Sequence, residues 1–307
     1  MTELKHQPVL MQETLDLLNL QPGMHVVDAT LGLGGHSEAM LNAIGPKGHL
    51  MAFEQDGRNL RESKKRLKKY EKQITYVHEN FETMPDHLSK KGSVDAIFFD
   101  IGLSSPHLDD PRRGFSFQKE GPLDMRFDPR QSLTAEKVVN TYNEKDLADI
   151  IYHYGEERRS RPIARAIVEA RKKERITTTT QLAEIIVSKS KKRPGLHPAT
   201  LTFQALRIYV NRELEVLENT LQQVINHLRP GGRIAVISYH SLEDRIVKQT
   251  FKYFTQTCIC PKEIPVCQCQ FKKKLYLLTK KPIIPNSIEV SKNPRARSAK
   301  LRVAQKL

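Results

Sequence analysis

Short apolar segments alternate with helical segments along the first hundred residues, and this alternation limits the fold more than any other feature of the sequence. The strand candidates are residues 25–28, 49–54, 74–77 and 94–100, and segments 37–44 and 58–70 between them have helical composition and spacing. Strands that alternate with helices form βαβ units, which build a parallel sheet covered by helices. This part of the chain is therefore predicted to form half of a doubly wound α/β sheet.

The pattern changes after Gly102 and returns near Pro230. Residues up to 129 are rich in Gly, Pro and polar side chains, and segments 143–154, 161–173, 179–188 and 197–221 are then predicted as helices. Residues 233–240, 274–279 and 300–304 resume the strand pattern, the last two as a hairpin around a long loop. The sequence thus predicts a seven-stranded Rossmann-like sheet, residues 1–106 and 210–307, interrupted after strand four by an α-helical insertion domain, residues 107–209.

The net charge indicates a polyanionic partner. Fifty Lys and Arg against 35 Asp and Glu give a formal charge of +15, which attracts nucleic acid; a solvated basic surface is the plain alternative. The absence of Trp argues against a surface built on exposed aromatic stacking. No apolar run approaches the ~20 residues that a membrane span needs, so the sequence predicts no membrane association and a cytoplasmic location.

The strongest local signal is the glycine-rich turn Asp28-Ala29-Thr30-Leu31-Gly32-Leu33-Gly34-Gly35-His36. Ligands of doubly wound sheets bind at this edge, where glycine lets the backbone come close. Asp28 can accept a hydrogen bond from the ammonium of an amino-acid moiety, and Glu54, with Asp56 as its rival, can accept from the hydroxyls of an adenosine ribose. The pair favours S-adenosylmethionine. A dinucleotide or a tight turn without ligand stays open, although the spacing departs from G-x-G-x-x-G.

Two residues at strand ends are candidates for catalysis. Strand four ends in Asp100 and strand five in His240, at the same predicted edge. The exocyclic amine of a base is a weak nucleophile because its lone pair is delocalised into the ring, so an acceptor for its N–H should assist methyl transfer. Asp100 is the first candidate, with a turn carboxylate as the structural alternative. For His240 the alternative is a helix cap, and Arg245 beyond it could contact a phosphate.

Arginines recur after strand four and in the insertion. Arg112, Arg113 and Arg126 lie in a stretch that also carries Phe and Gly, as a loop folded over a base and its phosphates would. Arg158 lies in a basic cluster of the insertion, and residues 189–193 form another. All are candidates for RNA contacts, with a structural loop or a solvated helix face as alternatives.

All four cysteines of the chain lie in one short segment, as Cys258-Ile259-Cys260 and Cys267-Gln268-Cys269. Structural disulfides are rare in the cytosol, and four thiolates suit a closed tetrahedral zinc site. The two C-x-C pairs are more closely spaced than the usual zinc ligands. A structural zinc ion without a catalytic role is therefore one hypothesis, and four reduced surface thiols are the other.

Eight strings of the sequence resemble one protein family. They are His6-Gln7-Pro8-Val9-Leu10, Thr30-Leu31-Gly32-Leu33-Gly34-Gly35-His36-Ser37, Asp100-Ile101-Gly102-Leu103-Ser104-Ser105-Pro106, Arg113-Gly114-Phe115-Ser116-Phe117, Gly121-Pro122-Leu123-Asp124-Met125-Arg126, Tyr154-Gly155-Glu156-Glu157-Arg158, Tyr239-His240-Ser241-Leu242-Glu243-Asp244-Arg245 and Asn293-Pro294-Arg295-Ala296-Arg297-Ser298. Together, from about His6 to Arg302, they are similar to the MraW (RsmH) family of ribosomal small subunit methyltransferases.

The resemblance implies a class I methyltransferase that moves a methyl group from S-adenosyl-L-methionine to the N4 amine of a cytidine in the decoding region of bacterial 16S ribosomal RNA. The donor-binding residues that it implies are Gly34, Gly35, His36, Phe81 and Asp100. Two positions depart from the family pattern: Glu54 stands where Asp is usual, and His107 stands where Gln is expected at a donor-contacting site. Both side chains can still form the hydrogen bonds required.

Other functions stay open at this point. The chain could be a catalytically silent RNA-binding or ribosome assembly module that retains the fold, or an amino-methyltransferase of DNA. Donor binding would separate the first from an enzyme, and activity on DNA would reveal the second. The sequence does not decide the catalytic base, the choice between naked rRNA and a small subunit or late assembly intermediate as substrate, or whether the protein forms a homodimer.

Overall fold

The structure is a computed structural model, and it describes residues 8–189, 195, 197–261 and 266–307. It contains two compact units: the sheet unit, residues 1–102 with 214–307, and the insertion unit, residues 103–213. The boundaries predicted from the sequence stood at residues 106/107 and 209/210. Residues 190–193, which make up most of the basic run 189–193, and the first two residues of the string that begins at His6 lie outside the described residues.

One mixed sheet of seven strands, counted over the described residues, forms the centre of the sheet unit. The strands are β1 (His25–Asp28), β2 (His49–Phe53), β3 (Ile74–Val77), β4 (Val94–Asp100), β5 (Leu228–Ser238), β6 (Leu275–Leu277) and β7 (Lys300–Lys306). Their spatial order is β3-β2-β1-β4-β5-β7-β6. Strands β1 to β5 are parallel, and β7 pairs antiparallel with β5 and β6. The predicted seven-stranded Rossmann-like sheet is confirmed.

Helices connect the strands and build the insertion. In chain order they are α1 (Met11–Leu18), α2 (Gly35–Ile44), α3 (Gly57–Arg66), α4 (Met84–Lys91), α5 (Ser105–Asp109), α6 (Ala135–Thr141), α7 (Glu144–Gly155), α8 (Ser160–Lys173), α9 (Thr179–Lys189), α10 (Thr200–Asn211), α11 (Glu213–Val224), α12 (Ser241–Phe254) and α13 (Ser287–Lys292). Polar side chains begin several of them: Asp56 accepts from the backbone of α3, and Asn143 from that of α7. Among the described helices, none is long and apolar enough to cross a membrane.

Both faces of the sheet are buried, because neighbouring side chains of a strand point to opposite faces and parallel strands are covered on both. On one face Val27, Ile97 and Phe99 pack with α4, α11 and α12. On the other face Val26 and Phe98 pack with α1, α2 and α3. These two layers leave the ends of the strands as the part of the sheet where polar side chains can gather.

The insertion unit has a hydrophobic core of its own, formed by one face each of α6 to α10. At Gly155, the last residue of α7, an added Cβ would lie 2.5 Å from the carbonyl oxygen of Leu201 in α10, so only glycine permits this close approach. The single helix predicted over residues 197–221 is wrong. It is two helices, α10 and α11, because Arg212 between them adopts a left-handed conformation with φ of 51°.

Candidate active site

Strand ends bring several predicted site residues to one edge of the sheet unit. Asp28 ends β1, Asp100 ends β4, and Glu54 directly follows β2. Backbone hydrogen bonds continue past the strands and fix the turns: the Leu31 N–H donates to the Phe53 carbonyl at 2.9 Å. Since β1 lies between β2 and β4, the strand order reverses here, and such a switch point is where open α/β sheets bind ligands.

Asp28 holds the glycine turn to the helix that follows it. Its carboxylate accepts a hydrogen bond from the Thr30 N–H at 3.0 Å and one from the Ser37 hydroxyl at 2.6 Å. The side chain is 1% exposed, and this burial raises its pKa, although the bonds from Ser37 and Thr30 act in the opposite direction. A cationic ligand beside Asp28 would offset the cost of its buried charge.

Glu54 spans the turns that follow β1 and β2. One carboxylate oxygen accepts from the Gly32 N–H at 3.0 Å and the other from the Asp56 N–H at 2.8 Å. The side chain is half-buried, and carboxylate oxygens can accept further hydrogen bonds from hydroxyl groups. Asp56, its rival from the sequence, is buried and caps α3 through the Arg58 N–H. Of the two acids, Glu54 is therefore the better placed for a ribose.

The glycines of the turn differ in what surrounds them. Gly34 has φ of +78°, and an added Cβ would lie 3.0 Å from the Leu67 side chain; at Gly35 it would lie 2.4 Å from Pro8. Both therefore pack against protein and can meet a ligand only through their backbone. At Gly32, with φ of +52°, the nearest atom to an added Cβ is the Thr30 carbonyl at 3.8 Å. The open space of the turn adjoins Gly32.

The amino end of α2 offers hydrogen-bond donors at this edge. Its N-cap is Gly34, which has no side chain to bind the first-turn N–H groups. A helix N-terminus of this kind favours a carboxylate ligand. Asp28 for an ammonium, the α2 end for a carboxylate and Glu54 for ribose hydroxyls match the polar groups of an adenosylmethionine, so the residues present fit that group.

Phe81, an adenine-side residue by resemblance, lies in a short 3₁₀ helix after β3. Its ring is partly buried against the core and meets Phe99 edge-on, with centroids 5.4 Å apart. Asn80 before it donates to the Gln55 side chain at 2.9 Å, which ties this turn to the one that carries Glu54. An apolar ring therefore lies in the turn next to the ribose candidate.

The Asp100 carboxylate is held by two side chains that are distant in sequence. One oxygen accepts from the Tyr239 hydroxyl at 2.8 Å, and the other lies 3.5 Å from Nδ1 of His36. The Asp100 N–H donates to the Thr30 hydroxyl at 2.6 Å. The Asp100 side chain is still 24% exposed. It is thus fixed in orientation and open to a ligand, as an acceptor for a substrate N–H should be.

His36, a donor-binding residue by resemblance, supports Asp100. Its Nε2 lies 3.0 Å from the Val9 carbonyl oxygen, and because a carbonyl only accepts, this nitrogen carries the proton. Nδ1 can then donate towards Asp100 only when the ring is doubly protonated and positively charged. The ring is buried against Phe98, with centroids 4.6 Å apart. A doubly protonated His36 would therefore compensate the charge of Asp100 within the sheet unit.

Tyr239 was not identified as a site residue from the sequence. Burial, and then the nearby Asp100 charge, raise the pKa of Tyr239 well above its ordinary value of 10.0, so its hydroxyl stays protonated and donates. A signal was present: β4 and β5 are neighbours, Asp100 ends the first, and Tyr239 directly follows the second. Only the pairing of these two strands gives that signal a meaning.

His240 has the capping role that the sequence left as its alternative. Its Nδ1 accepts from the Glu243 N–H at 3.5 Å, and the Glu243 carboxylate accepts from the backbone of Tyr239 and His240, which makes a capping box at the start of α12. Its Nε2 lies 3.0 Å from the Glu243 carboxylate. The catalytic role suggested for His240 stays a prediction. Arg245, one turn further along α12, is exposed.

His107 lies in the core of the insertion unit. It is 4% exposed, its ring lies between those of Phe115 and Phe127 at centroid distances of 5.0 and 4.9 Å, and its Nδ1 completes a capping box with Ser104. These contacts account for a ring that is polar and flat at this position. The donor contact implied for His107 stays a prediction.

Two of the predicted RNA-binding arginines, Arg126 and Arg113, are hydrogen-bonded or buried within the loop after α5. Arg126 donates two hydrogen bonds to the Asp124 carboxylate, both at 2.7 Å, and further bonds to the carbonyls of Pro129 and Gln131. Arg113 is buried, with its guanidinium 6.0 Å from the Phe115 ring centroid. The structure thus shows a structural role for both arginines, and their RNA contacts stay a prediction.

The other arginines point outward. Arg158 is exposed, and Arg112 is 84% exposed although it pairs with Asp110 at 2.8 Å. Such an exposed ion pair contributes little to stability and exchanges easily for a phosphate. These two and Arg245 are the predicted RNA-binding residues that the structure leaves accessible.

The four cysteines form one cluster at the surface of the sheet unit. Their Sγ atoms all lie within 4.8 Å of one another, and Cys258, Cys260, Cys267 and Cys269 are free thiols. In the sequence the cluster lies between α12 and β6, outside the turns that carry the candidate active-site residues. The structure therefore brings together the residues that the sequence named as metal ligands.

Comparison with known proteins identifies the family of this chain. A family model described as the MraW methylase family matches residues 3–307. The chain is 48% identical over 309 residues to "Ribosomal RNA small subunit methyltransferase H" of Halothermothrix orenii, covering 99% of both chains. It is 48% identical over 306 residues to the protein of the same name from Caldicellulosiruptor bescii, again covering 99% of both. The resemblance seen in the eight strings thus extends over the whole sequence, and the chain belongs to the MraW methylase family.

Proposed function

We propose that this protein transfers a methyl group from S-adenosyl-L-methionine to the exocyclic N4 amine of a cytidine in the decoding region of bacterial 16S rRNA. The observation that carries the proposal is the full-length family match, which includes the turn and the strand ends where the candidate residues lie. Relatives that are 48% identical bear the name of a small subunit rRNA methyltransferase. The charge of +15 suits such a polyanionic substrate.

The donor site of this proposal is the edge around the glycine turn. Glu54 binds the ribose hydroxyls, Phe81 packs on the adenine, and Asp28 lies by the ammonium. The Gly35 N–H, at the start of α2, binds the carboxylate, and Gly34 shapes the turn, because its own N–H donates to the Leu31 carbonyl at 2.8 Å. The bound donor supplies a methyl group on a positively charged sulfur, and all other steps fall to the side chains of the chain.

Asp100 acts on the accepting amine. Its exposed oxygen accepts a hydrogen bond from the cytosine N4–H, which orients the nitrogen and increases the electron density of its lone pair. When N4 forms its new bond to carbon it becomes positively charged and strongly acidic, so a weak base is sufficient to take the proton. Asp100 is such a base, because the Tyr239 hydroxyl donates to its carboxylate and thereby stabilises its charge and fixes its position.

The RNA contacts of the proposal come from exposed arginines. Arg112, Arg158 and Arg245 bind backbone phosphates, which position the RNA without reading its sequence. The partner is 16S rRNA within the small ribosomal subunit or a late assembly intermediate, and the reaction takes place in the cytoplasm. Sedimentation of the active protein would show whether it acts as a monomer or as a homodimer.

Metal has no part in this reaction. Transfer of a methyl group from a sulfonium to an amine needs an oriented nucleophile and a proton acceptor, and Asp100 supplies the acceptor. A zinc ion at Cys258, Cys260, Cys267 and Cys269 would therefore be structural and not catalytic.

The test incubates the protein and methyl-labelled adenosylmethionine with unmodified small subunits, naked 16S rRNA or DNA, and identifies the labelled nucleoside by mass spectrometry. Label in N4-methylcytidine from the subunits or the rRNA is expected. Label in another nucleoside, or in DNA alone, would contradict the proposed substrate. Donor binding by calorimetry without label on any of the three would instead support a silent assembly module.

A further inference from the structure

We infer that Cys258, Cys260, Cys267 and Cys269 hold one zinc ion, and that this ion cross-links the two C-x-C pairs of the segment between α12 and β6. The inference does not depend on the proposed methyl transfer. It rests on the mutual distances of four sulfur atoms, on the backbone bonds to them, and on the exposure of the apolar residues described beside the cysteines.

The sulfur atoms have the spacing that a single tetrahedral ion imposes. With a Zn–S distance of about 2.3 Å, two ligands of one tetrahedron lie about 3.8 Å apart. Sγ of Cys269 lies 3.6 Å from that of Cys267 and 3.8 Å from that of Cys258. A disulfide would require about 2.05 Å, and an iron–sulfur cluster would hold some of the four thiolates further apart, because they bind different irons. The spacing therefore favours one zinc ion.

The backbone is arranged to support thiolates. N–H groups donate to three of the sulfurs: Ile259 to Cys269 at 3.4 Å, Cys260 to Cys258 at 3.4 Å, and Gln268 to Cys260 at 3.3 Å. Hydrogen bonds to ligating atoms orient them and stabilise their negative charge. The Cys260 bond folds the first C-x-C pair back on itself, and the other two bonds join the first pair to the second, so that ligands from both pairs can share one ion.

Hydrophobic packing does not order the loop around the cysteines. Among its described residues, Ile259 is 40% exposed and Val266 is 70% exposed. The loop joins the rest of the unit further on, where Phe271 packs on Tyr253 with ring centroids 5.0 Å apart and the Lys274 N–H donates to the Phe254 carbonyl at 2.8 Å. A metal cross-link supplies the fixed geometry that apolar contacts do not, as in other small sites without a core.

The test is metal content and metal affinity. Protein is reduced, stripped with chelator and titrated with Zn²⁺ in competition with a chromophoric chelator, and metals are counted by mass spectrometry in protein as purified. About one zinc per chain is expected, lost on changing all four cysteines to serine. Cys258→Ser alone should weaken zinc binding at least about a hundredfold. Gln268→Ala, within the second C-x-C pair, leaves every sulfur in place and should keep full zinc content.

Two further readouts keep the inference testable if a variant folds poorly. Co²⁺ added to the reduced wild-type protein should give the intense sulfur-to-cobalt absorption of a tetrahedral thiolate site. Stripping zinc should speed hydrogen exchange in the described residues between Phe254 and Leu275 and leave β4 unchanged. Failure of the reduced wild-type protein to bind Zn²⁺, equal zinc in the four-serine variant, or iron in its place would each overturn the inference. None of these measurements involves methyl transfer. The zinc site can therefore be disproved without affecting the proposed function, and the proposed function can be disproved without affecting the zinc site.

Discussion

The two units of this protein use their polar residues in opposite ways. In the sheet unit the acids at the ends of β1, β2 and β4 gather at one edge, and Asp100 remains partly exposed there. In the insertion unit two of the predicted RNA-binding residues have structural roles in their own loop: Arg113 is buried, and Arg126 donates to the Asp124 carboxylate. Strand β4 satisfies its backbone within the sheet and leaves Asp100 accessible, whereas the irregular loop of the insertion unit recruits Arg126 to bind its carbonyls.

The largest effect that would test this contrast is expected at Asp100. Asp100→Asn keeps the shape of the side chain but removes the charge and the basicity, so we expect the rate of methyl transfer in a single turnover to fall about a hundredfold or more. Donor affinity, measured by calorimetry, should change far less. Asp95→Asn, a carboxylate at the opposite end of β4 that pairs with Arg229, is the matched control. Equal rates for wild type and Asp100→Asn would remove Asp100 from the mechanism.

The next effect separates a structural arginine from a surface one. Arg126→Ala removes a partly buried, charge-assisted network and should cost about 2–3 kcal/mol in the unfolding free energy of the insertion unit. Hydrogen exchange should rise in residues 124–131. Arg158→Ala should leave stability within about 0.5 kcal/mol and instead weaken RNA binding, with a shallower salt dependence. If Arg126→Ala is as stable as Arg158→Ala, the network does not hold the loop.

A third prediction concerns the open space beside the glycine turn. Gly32→Ala places a methyl group where the donor should lie, and we expect about a tenfold loss of donor affinity by calorimetry, or about 1.4 kcal/mol. Gly23→Ala is the matched control, because Gly23 also has positive φ and open surroundings. Both changes should cost about 1 kcal/mol or slightly more in stability through backbone strain. Gly34→Val is a poor test, because its side chain would meet Leu67 whether or not a donor binds.

The smallest effect is a pH dependence that originates at Asp28. Burial raises the pKa of this carboxyl in the folded protein above its ordinary value of 3.8. The folded state thus holds the proton more tightly than the unfolded state, so the stabilising contribution is full below that ordinary value and is lost as pH rises through the folded pKa. Asp28→Asn cannot titrate. The unfolding free energy of wild type minus that of Asp28→Asn should decrease as the pH rises above the ordinary value of 3.8, and a constant difference would count against the raised pKa.

Much of the site was predictable because it depends on local patterns. Hydrophobic periodicity predicts where a strand ends, and the ends of parallel strands share one edge of the sheet. The sequence therefore predicts that Asp28, Glu54 and Asp100 lie at one edge. The choice between Glu54 and Asp56 was not readable, since either acid could follow β2, and only the capping bond of Asp56 to α3 decides it. The sequence alone groups the four cysteines, but the close approach of their Sγ atoms is a property of the folded loop.

By itself, the sequence determined the order of strands and helices, the glycine turn, the family and the strand-end acids, because each is encoded by residues within a few positions of one another. Tertiary structure alone decided that Tyr239 and His36 flank Asp100, that His240 caps α12 and that Arg126 closes a loop. The physical reason is competition for partners. A polar side chain takes the best donor or acceptor within reach, and which group is within reach depends on how strands remote in sequence are paired.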